Sequence, residues 1–371
     1  MRVGSIVGTM PRERQISRLE LLVAPLLLAA SLLAHAQEVE NKTEFAPAAI
    51  GESGVAIHLD NDLFSGTDND SDYSFGITLT IGSPTPGRLT APLDWVRQSI
   101  ASRLPDREAA AVSRATQFGI IAMTPEDLKS AHALPEDRPY ASLVFLTSSE
   151  LRIGTAGERS RFTSLTVGVL GTGAADALQS GVHQVQGGIE PNGWSHQISE
   201  GGEPTARFAQ AEQWLLGDTA TRTRGLRQTK LTLAASAGYL NEASAAVSIR
   251  WGRIATPWWS FNPELGDYSP APVAPLNGLS FGGSPEVYGF VGARVKARVY
   301  NALLQGQFRH SDVRVASEDL ERFQVEAWAG VTSAFSDWSL SYTVHIASSE
   351  ISRGPVDRTL VWANMSFARA F

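Results

Sequence analysis

The chain has 371 residues and a formal net charge of −7, with 33 Gly, 9 Trp and no Cys. An acidic chain is a poor partner for nucleic acid, and without Cys neither a disulfide framework nor a thiolate metal site can form. Beyond residue 36 no run approaches the roughly eighteen consecutive apolar residues of a membrane helix.

Residues 1–36 read as a secretory signal. Arg2, Arg12, Arg14 and Arg18 form a basic start, Leu21 to Leu33 is apolar, and Ala34-His35-Ala36 supplies small residues for cleavage. The remainder, 37–371, is more acidic still, because the signal carries four arginines against Glu13 and Glu20. An exported Gly- and Trp-rich chain without an apolar helix has one route into a membrane: alternating strands closed into a barrel.

Alternation with period 2 identifies those strands, since one face of a barrel wall meets lipid and the other the lumen. Strands are predicted near 53–62, 73–82, 115–123, 141–153, 162–170, 228–239, 244–253, 286–297, 302–309, 322–334, 337–347 and 357–371. Two are especially clear. Phe323, Val325, Ala327, Ala329 and Val331 share one face. Val291, Ala293, Val295, Ala297 and Val299 alternate with Gly292, Arg294, Lys296 and Arg298, charges that a polar lumen accepts. The terminal strand carries Val361, Met365, Phe367 and Phe371 on one face, and a terminal aromatic resembles the signal read by barrel-assembly machinery.

The expectation is an all-β chain, a 12-stranded antiparallel transmembrane β-barrel with short helices in its loops. It would lie in the outer membrane of a Gram-negative bacterium. With a periplasmic N-terminus, short turns are expected at Gly154–Arg161, Leu240–Ala243, around Tyr300 and at Ser333–Asp337. Long outward loops are expected at 171–227 and 254–285. Residues 83–114 form a long turn in which Leu93 to Ala110 looks helical.

Three polar clusters fall at outward strand ends. The first runs from Asp60-Asn61-Asp62-Leu63-Phe64 through Thr67-Asp68-Asn69-Asp70-Ser71-Asp72 to Tyr73-Ser74-Phe75-Gly76. Such density of hard oxygen suits Ca²⁺ better than a transition metal, although solvated turns have the same composition. It is not an EF-hand, because Tyr73 stands where Gly is needed. The second cluster is Glu136-Asp137-Arg138-Pro139-Tyr140. In the third, Gln179 and His183 are spaced to share a helix face within Ala174 to Val182 and just beyond, and His183 has the chemistry of a general base near neutral pH. Gly278-Leu279-Ser280-Phe281-Gly282 matches a nucleophile elbow but lacks the strand–turn–helix setting that motif requires.

Taken in order, Asn61-Asp62-Leu63-Phe64, Asp72-Tyr73-Ser74-Phe75-Gly76, Asp137-Arg138-Pro139-Tyr140-Ala141, Gln179-Ser180-Gly181-Val182-His183 and Pro191-Asn192-Gly193-Trp194 resemble the outer-membrane lipid A 3′-O-deacylase family. The resemblance runs from about residue 53 to the C-terminus. It implies a twelve-stranded barrel and a Ca²⁺-dependent esterase acting on the 3′-linked acyloxyacyl group of lipid A in lipopolysaccharide. His183 would be the general base, with Gln179, Ser74 and Asn61 completing the site, and Asp62 and Asn61 holding the metal. Arg138 and Tyr140 would contact substrate. By their own composition, Arg222, Arg224 and Arg227 in the long outward loop either meet its phosphates or form a solvated basic loop. Ser74 and Ser142 stand where the family often has Thr and Gly. A calcium-dependent outer-membrane phospholipase and a non-catalytic porin-like barrel are the alternatives.

Overall fold

The computed structural model describes residues 53–65, 72–83, 87, 90–105, 108–186, 190–220, 225–275 and 285–371. The expected signal at 1–36, the stretch Asp68 to Asp70, Arg222, Arg224 and the elbow-like Gly278 to Gly282 lie outside these residues.

Twelve strands are present: β1 (Gly54–Asn61), β2 (Asp72–Ser83), β3 (Ala109–Thr124), β4 (Ala141–Gly154), β5 (Arg159–Leu170), β6 (Glu203–Ala220), β7 (Leu226–Gly238), β8 (Leu240–Arg253), β9 (Glu286–Asn301), β10 (Phe323–Phe335), β11 (Trp338–Ala347) and β12 (Leu360–Ala370). Each pairs antiparallel with its sequence neighbour, and β1 closes on β12 from Gly54↔Ala370 to Asn61↔Ala363. Closure leaves no strand edge, which a sheet in hydrocarbon requires. Alternation sets the two faces. Ile57, Ile77, Leu79, Phe118, Val291, Phe323 and Phe367 are exposed on the outside, while Gln117, Arg294, Lys296, Arg298 and Glu326 are buried inside. No helix of the described residues is long and apolar enough to cross a membrane.

The barrel has a terminal end, where β1 starts and β12 finishes, and an opposite rim. The connections 62–71, 125–140, 171–202, 302–322 and 348–359 lie at the rim, so all three polar clusters meet there as expected. The turns at 155–158 and 336–337 lie at the terminal end. So does α1 (Ala91–Ala101), which overlaps the expected helix Leu93 to Ala110 only in its first part, since β3 already begins at Ala109. The helix packs on β4 and β5, with Arg97 buried against Asp94 (2.6 Å) and Glu150 (3.2 Å).

Two strand assignments are corrected. Residues 302–309 are not a strand: Asn301 caps a helical turn, α3 (Ala302–Gln305), by accepting from the Leu303 N–H, and Gly306 ends it at φ +69°. Conversely, β6 occupies part of the expected loop 171–227. The two errors cancel in the total, but the three expected strands that lie between them, 228–239, 244–253 and 286–297, run opposite to expectation. The connections at Tyr239 and beyond Asn301 therefore leave from the rim, and the strand ends that flank the β6–β7 turn and the β8–β9 segment lie at the terminal end. Arg227 sits beside that turn, at the opposite end from the clusters it was expected to join.

The segment 254–275 does not project outward. It folds into the lumen, beginning at the terminal end, where Trp258 Nε1 donates to Gly157 O (2.7 Å). Glu264 then meets Lys230 at 2.7 Å, and Asp267 meets Arg294 at 3.1 Å. The tip, Tyr268, donates its hydroxyl to Glu350 Oε1 (2.6 Å), on a rim connection. The chain returns past Gln117, whose side chain donates to Pro270 O (3.0 Å), and reaches the terminal end beside Gly82. Gly82 is needed there, because an added Cβ would lie 2.7 Å from that of Ala274. This plug neutralises lumen arginines and fills a volume that side chains from the wall alone leave open.

Candidate active site on the outer wall

The wall near the rim carries two separate apolar clusters. Ile121, Met123 and Leu143 point inward and pack with Tyr73 and Tyr268. Ile120 and Ala122, the alternate residues of β3, face outward and pack with Phe75, Val144, Leu128, Tyr140, Trp194 and Ala175. Ala175 belongs to α2 (Ala174–Gln186), so this rim helix lies against the outside of the barrel. Ser142 fastens its approach, donating to Thr172 O (3.1 Å) and Gln197 Oε1 (2.9 Å). At this position a hydroxyl ties the loop to the wall.

Beneath α2 the β2–β3 ladder is interrupted. Its register shifts between Tyr73 and Phe75, leaving Ser74 as a bulged residue and its backbone outside the regular ladder. Asn61 takes up the freed carbonyl, donating Nδ2 to Ser74 O at 2.8 Å. The Ser74 hydroxyl lies 2.5 Å from Thr124 Oγ1. Thr124 has the same parity as Phe118, Ile120 and Ala122, so Ser74, Asn61 and Thr124 all belong to the outward wall. Thr124 had no place in the sequence reading, although its position on the apolar face of β3 was a usable signal. Asp62 follows directly and is buried.

Across from them, Gln179 is 3% exposed and accepts from Trp194 Nε1 at 3.0 Å. Trp194 in turn packs against Tyr140, with ring centroids 4.8 Å apart and the planes tilted by 56°. Gln179 Nε2 is buried and has no hydrogen-bond partner among the described residues. An unpaired buried amide costs about 1–3 kcal/mol, which a ligand or water accepting from it would relieve. Positions 175, 179 and 183 recur every fourth residue along α2. The His183 side chain is outside the described residues.

The structure brings Asn61, Ser74, Thr124 and the Gln179 side of α2 to the outer side of the wall. Arg138 is turned elsewhere. It is buried on the lumen side, pairing with Asp72 at 3.1 Å and with Glu350. Burial works against the charge of Glu350, but Arg138 and Arg298 hold its carboxyl well below the usual carboxylate range. Tyr140 is buried under Trp194 and braces Gln179 from behind. Both residues expected to touch substrate are thus observed as supports.

The donors fit a hard cation in kind. Asp62 offers a carboxylate, and Asn61, with its nitrogen turned to Ser74 O, presents its amide oxygen; no thiol or imidazole pair is needed. Among the described residues no three acidic or His side chains are grouped so as to hold a metal ion.

A closed twelve-stranded barrel with apolar side chains on its exterior, residues 254–275 in its lumen and a polar cluster on its outer wall near the rim defines a protein of the outer-membrane barrel class. The chain belongs to the family of outer membrane protein LpxR, which it matches over residues 21–371. Its fold is similar to that of LpxR from Salmonella typhimurium, with TM-score 0.66 and 14% identity over 86% of this chain and 100% of that one. The β domain of the Bordetella autotransporter BrkA covers 86% of this chain and 100% of its own at 12% identity, with TM-score 0.39. No curated protein matches in sequence.

Proposed function

We propose that the chain is a lipid A 3′-O-deacylase, hydrolysing the ester of the 3′ acyloxyacyl group. The observation that carries this reading is the side of the wall on which the polar residues lie. Ser74 and Asn61 are on the outside of the barrel wall, and Gln179 belongs to the helix that lies against that wall, where a membrane lipid arrives and a solute passing through a pore does not. Family membership supports the same reading. A porin-like role is disfavoured by a lumen occupied by residues 254–275.

In the proposed chemistry His183 removes a proton from water, or from the Ser74 hydroxyl, as the nucleophile adds to the ester carbonyl. Gln179 Nε2 donates to the developing oxyanion, giving that buried N–H the acceptor it lacks. His183 then returns the proton to the departing 3′-oxygen of the sugar as the acyl C–O bond breaks; where Ser74 is the nucleophile, a water deprotonated by His183 next hydrolyses the acyl–Ser74 ester and releases the acid. Asn61 and Asp62 would hold Ca²⁺, which when bound polarises the ester carbonyl. Ser142, Tyr140 and Trp194 keep α2 against the wall and orient Gln179.

Purified protein incubated with lipid A, with and without a chelator, tests the reading by mass spectrometry. Loss of one 3′ acyloxyacyl unit is expected only without chelator. Lysophospholipid from added phospholipid, with lipid A intact, would instead mark a phospholipase. No product from either lipid at any calcium level would overturn the enzyme reading.

A further inference from the structure

The bulge that presents Ser74 is held from both sides of the barrel wall. Outside, Asn61 and Thr124 bind Ser74 itself. Inside, the two preceding residues are fixed by the lumen. Asp72 adopts a left-handed conformation at φ +70°, unusual for a residue with a side chain. Its carboxylate is gripped by Arg138 (3.1 Å) and by Arg358 (2.7 Å). Tyr73 donates its hydroxyl to the backbone carbonyl of Tyr268, the tip of the plug. Its ring packs between those of Tyr268 and Trp362, at centroid distances of 6.2 and 6.0 Å. Gly76 makes this possible, since an added Cβ would collide with the Tyr73 hydroxyl.

The tip is itself tightly held. The Tyr268 hydroxyl donates to Glu350 Oε1 (2.6 Å) and accepts from Asn301 Nδ2 (2.7 Å) and Arg298 Nη1 (3.1 Å). A continuous set of bonds therefore runs from rim connection 348–359, through the plug tip, to the residue before Ser74. A bulge is the part of a strand that the ladder does not fix, so its conformation depends on such outside contacts. Regular strand residues nearby have no need of them.

We propose that Tyr268 and Tyr73 are positioning residues for the outer-wall site: the lumen plug, entering from the opposite end of the barrel, sets the bulge that aims Ser74 outward. This rests on the esterase reading only for its catalytic consequence. The structural link stands without it.

The test uses the full chain in detergent or lipid, as Tyr73→Phe and Tyr268→Phe. The first removes the hydroxyl that reaches the plug and that also bonds the Asp60 carboxylate; the second leaves Tyr73 and Asp60 intact and frees the tip from Glu350, Asn301 and Arg298. Hydrogen exchange at the Tyr73–Gly76 amides is expected to quicken by about fivefold in each, the equivalent of one lost hydrogen bond of about 1 kcal/mol. Turnover of lipid A is expected to fall about tenfold in kcat with KM unchanged, since small misplacements of a reacting group cost one to two orders of magnitude. The unfolding midpoint should stay near that of the parent.

Unchanged exchange at 73–76 in both variants would overturn the proposal, as would faster exchange with kcat intact. A fall in kcat matched by loss of folded barrel would also overturn it. Should the parent protein leave lipid A untouched, the esterase reading fails, while the exchange measurement still decides the link between plug and bulge.

Discussion

The lumen and the pocket under α2 are both polar, and they lie back to back across one thickness of β-sheet, yet they are built on opposite rules. In the lumen nearly every charge is matched. Glu326 takes Arg294 at 2.6 Å and Lys296 at 2.9 Å, and Arg298 lies 2.8 Å from Glu242. Under α2 the groups are few and mostly uncharged, and Gln179 Nε2 has no acceptor among the described residues. Single unpaired atoms occur on the lumen side too, at Arg294 Nε and Gln324 Oε1, so the contrast lies in charge: the lumen holds paired ions, and the outer wall under α2 holds mainly neutral donors and acceptors.

Four measurements press on this contrast. His183→Ala should lower lipid A turnover by about 10³-fold, within the span that general bases supply. The barrel should remain folded, as judged by its heat-modifiable migration on gels. Full turnover in that variant would remove His183 from the role of base. Chelation of Ca²⁺ should lower turnover by about 10²-fold, comparable to losing one electrostatic stabiliser of the oxyanion, with recovery on adding Ca²⁺. An unaffected rate in chelator would remove the metal from the mechanism.

The lumen should respond the other way. Glu326→Gln leaves two buried cations short of a partner and should cost about 3 kcal/mol of stability, read from urea unfolding in lipid, with kcat changed less than twofold. A large fall in kcat without destabilisation would break the division between scaffold and site. The smallest effect concerns acid. Glu350 has a folded pKa below its unfolded one. Its contribution is therefore complete above the ordinary glutamate range of about 4.3 and is lost as pH falls below that toward the folded value. Arg298→Met weakens the depression and should move acid unfolding to higher pH. An unchanged acid midpoint would show that Arg298 does not hold Glu350.

The barrel was legible because strands such as β9 and β10 put Val and Ala on one face and charge on the other. β6 was not, for a physical reason. Its outward residues include Pro204, Gln210 and Glu212, and its inward ones include Ala209 and Ala211, so the alternation is blurred. The polarity outside follows from Arg159 and Arg161 of β5, which both pair with Glu212 on that wall. Residues 302–309 misled in the opposite sense: Leu303 and Leu304 suit a strand, but the Asn301 cap and Gly306 make a helical turn.

The site was legible in part. Its residue types and the rim location follow from spacing and strand parity. That the rim helix folds down over the outside does not, because it depends on Trp194, Tyr140 and Ala175 finding Ile120 and Ala122 across long stretches of chain. Arg138 was misplaced for a related reason. A charged residue in a rim loop looks available for substrate, and only the fold brings Asp72 and Glu350 to it.

Placing Ser74 and Asn61 on the outward wall also fixes how encounters are counted. A molecule that reaches them travels in the plane of the bilayer, so its supply is set by surface density and lateral mobility. Diluting lipid A with an inert amphiphile at constant bulk concentration then slows the reaction, whereas diluting whole vesicles in buffer leaves the rate per enzyme unchanged.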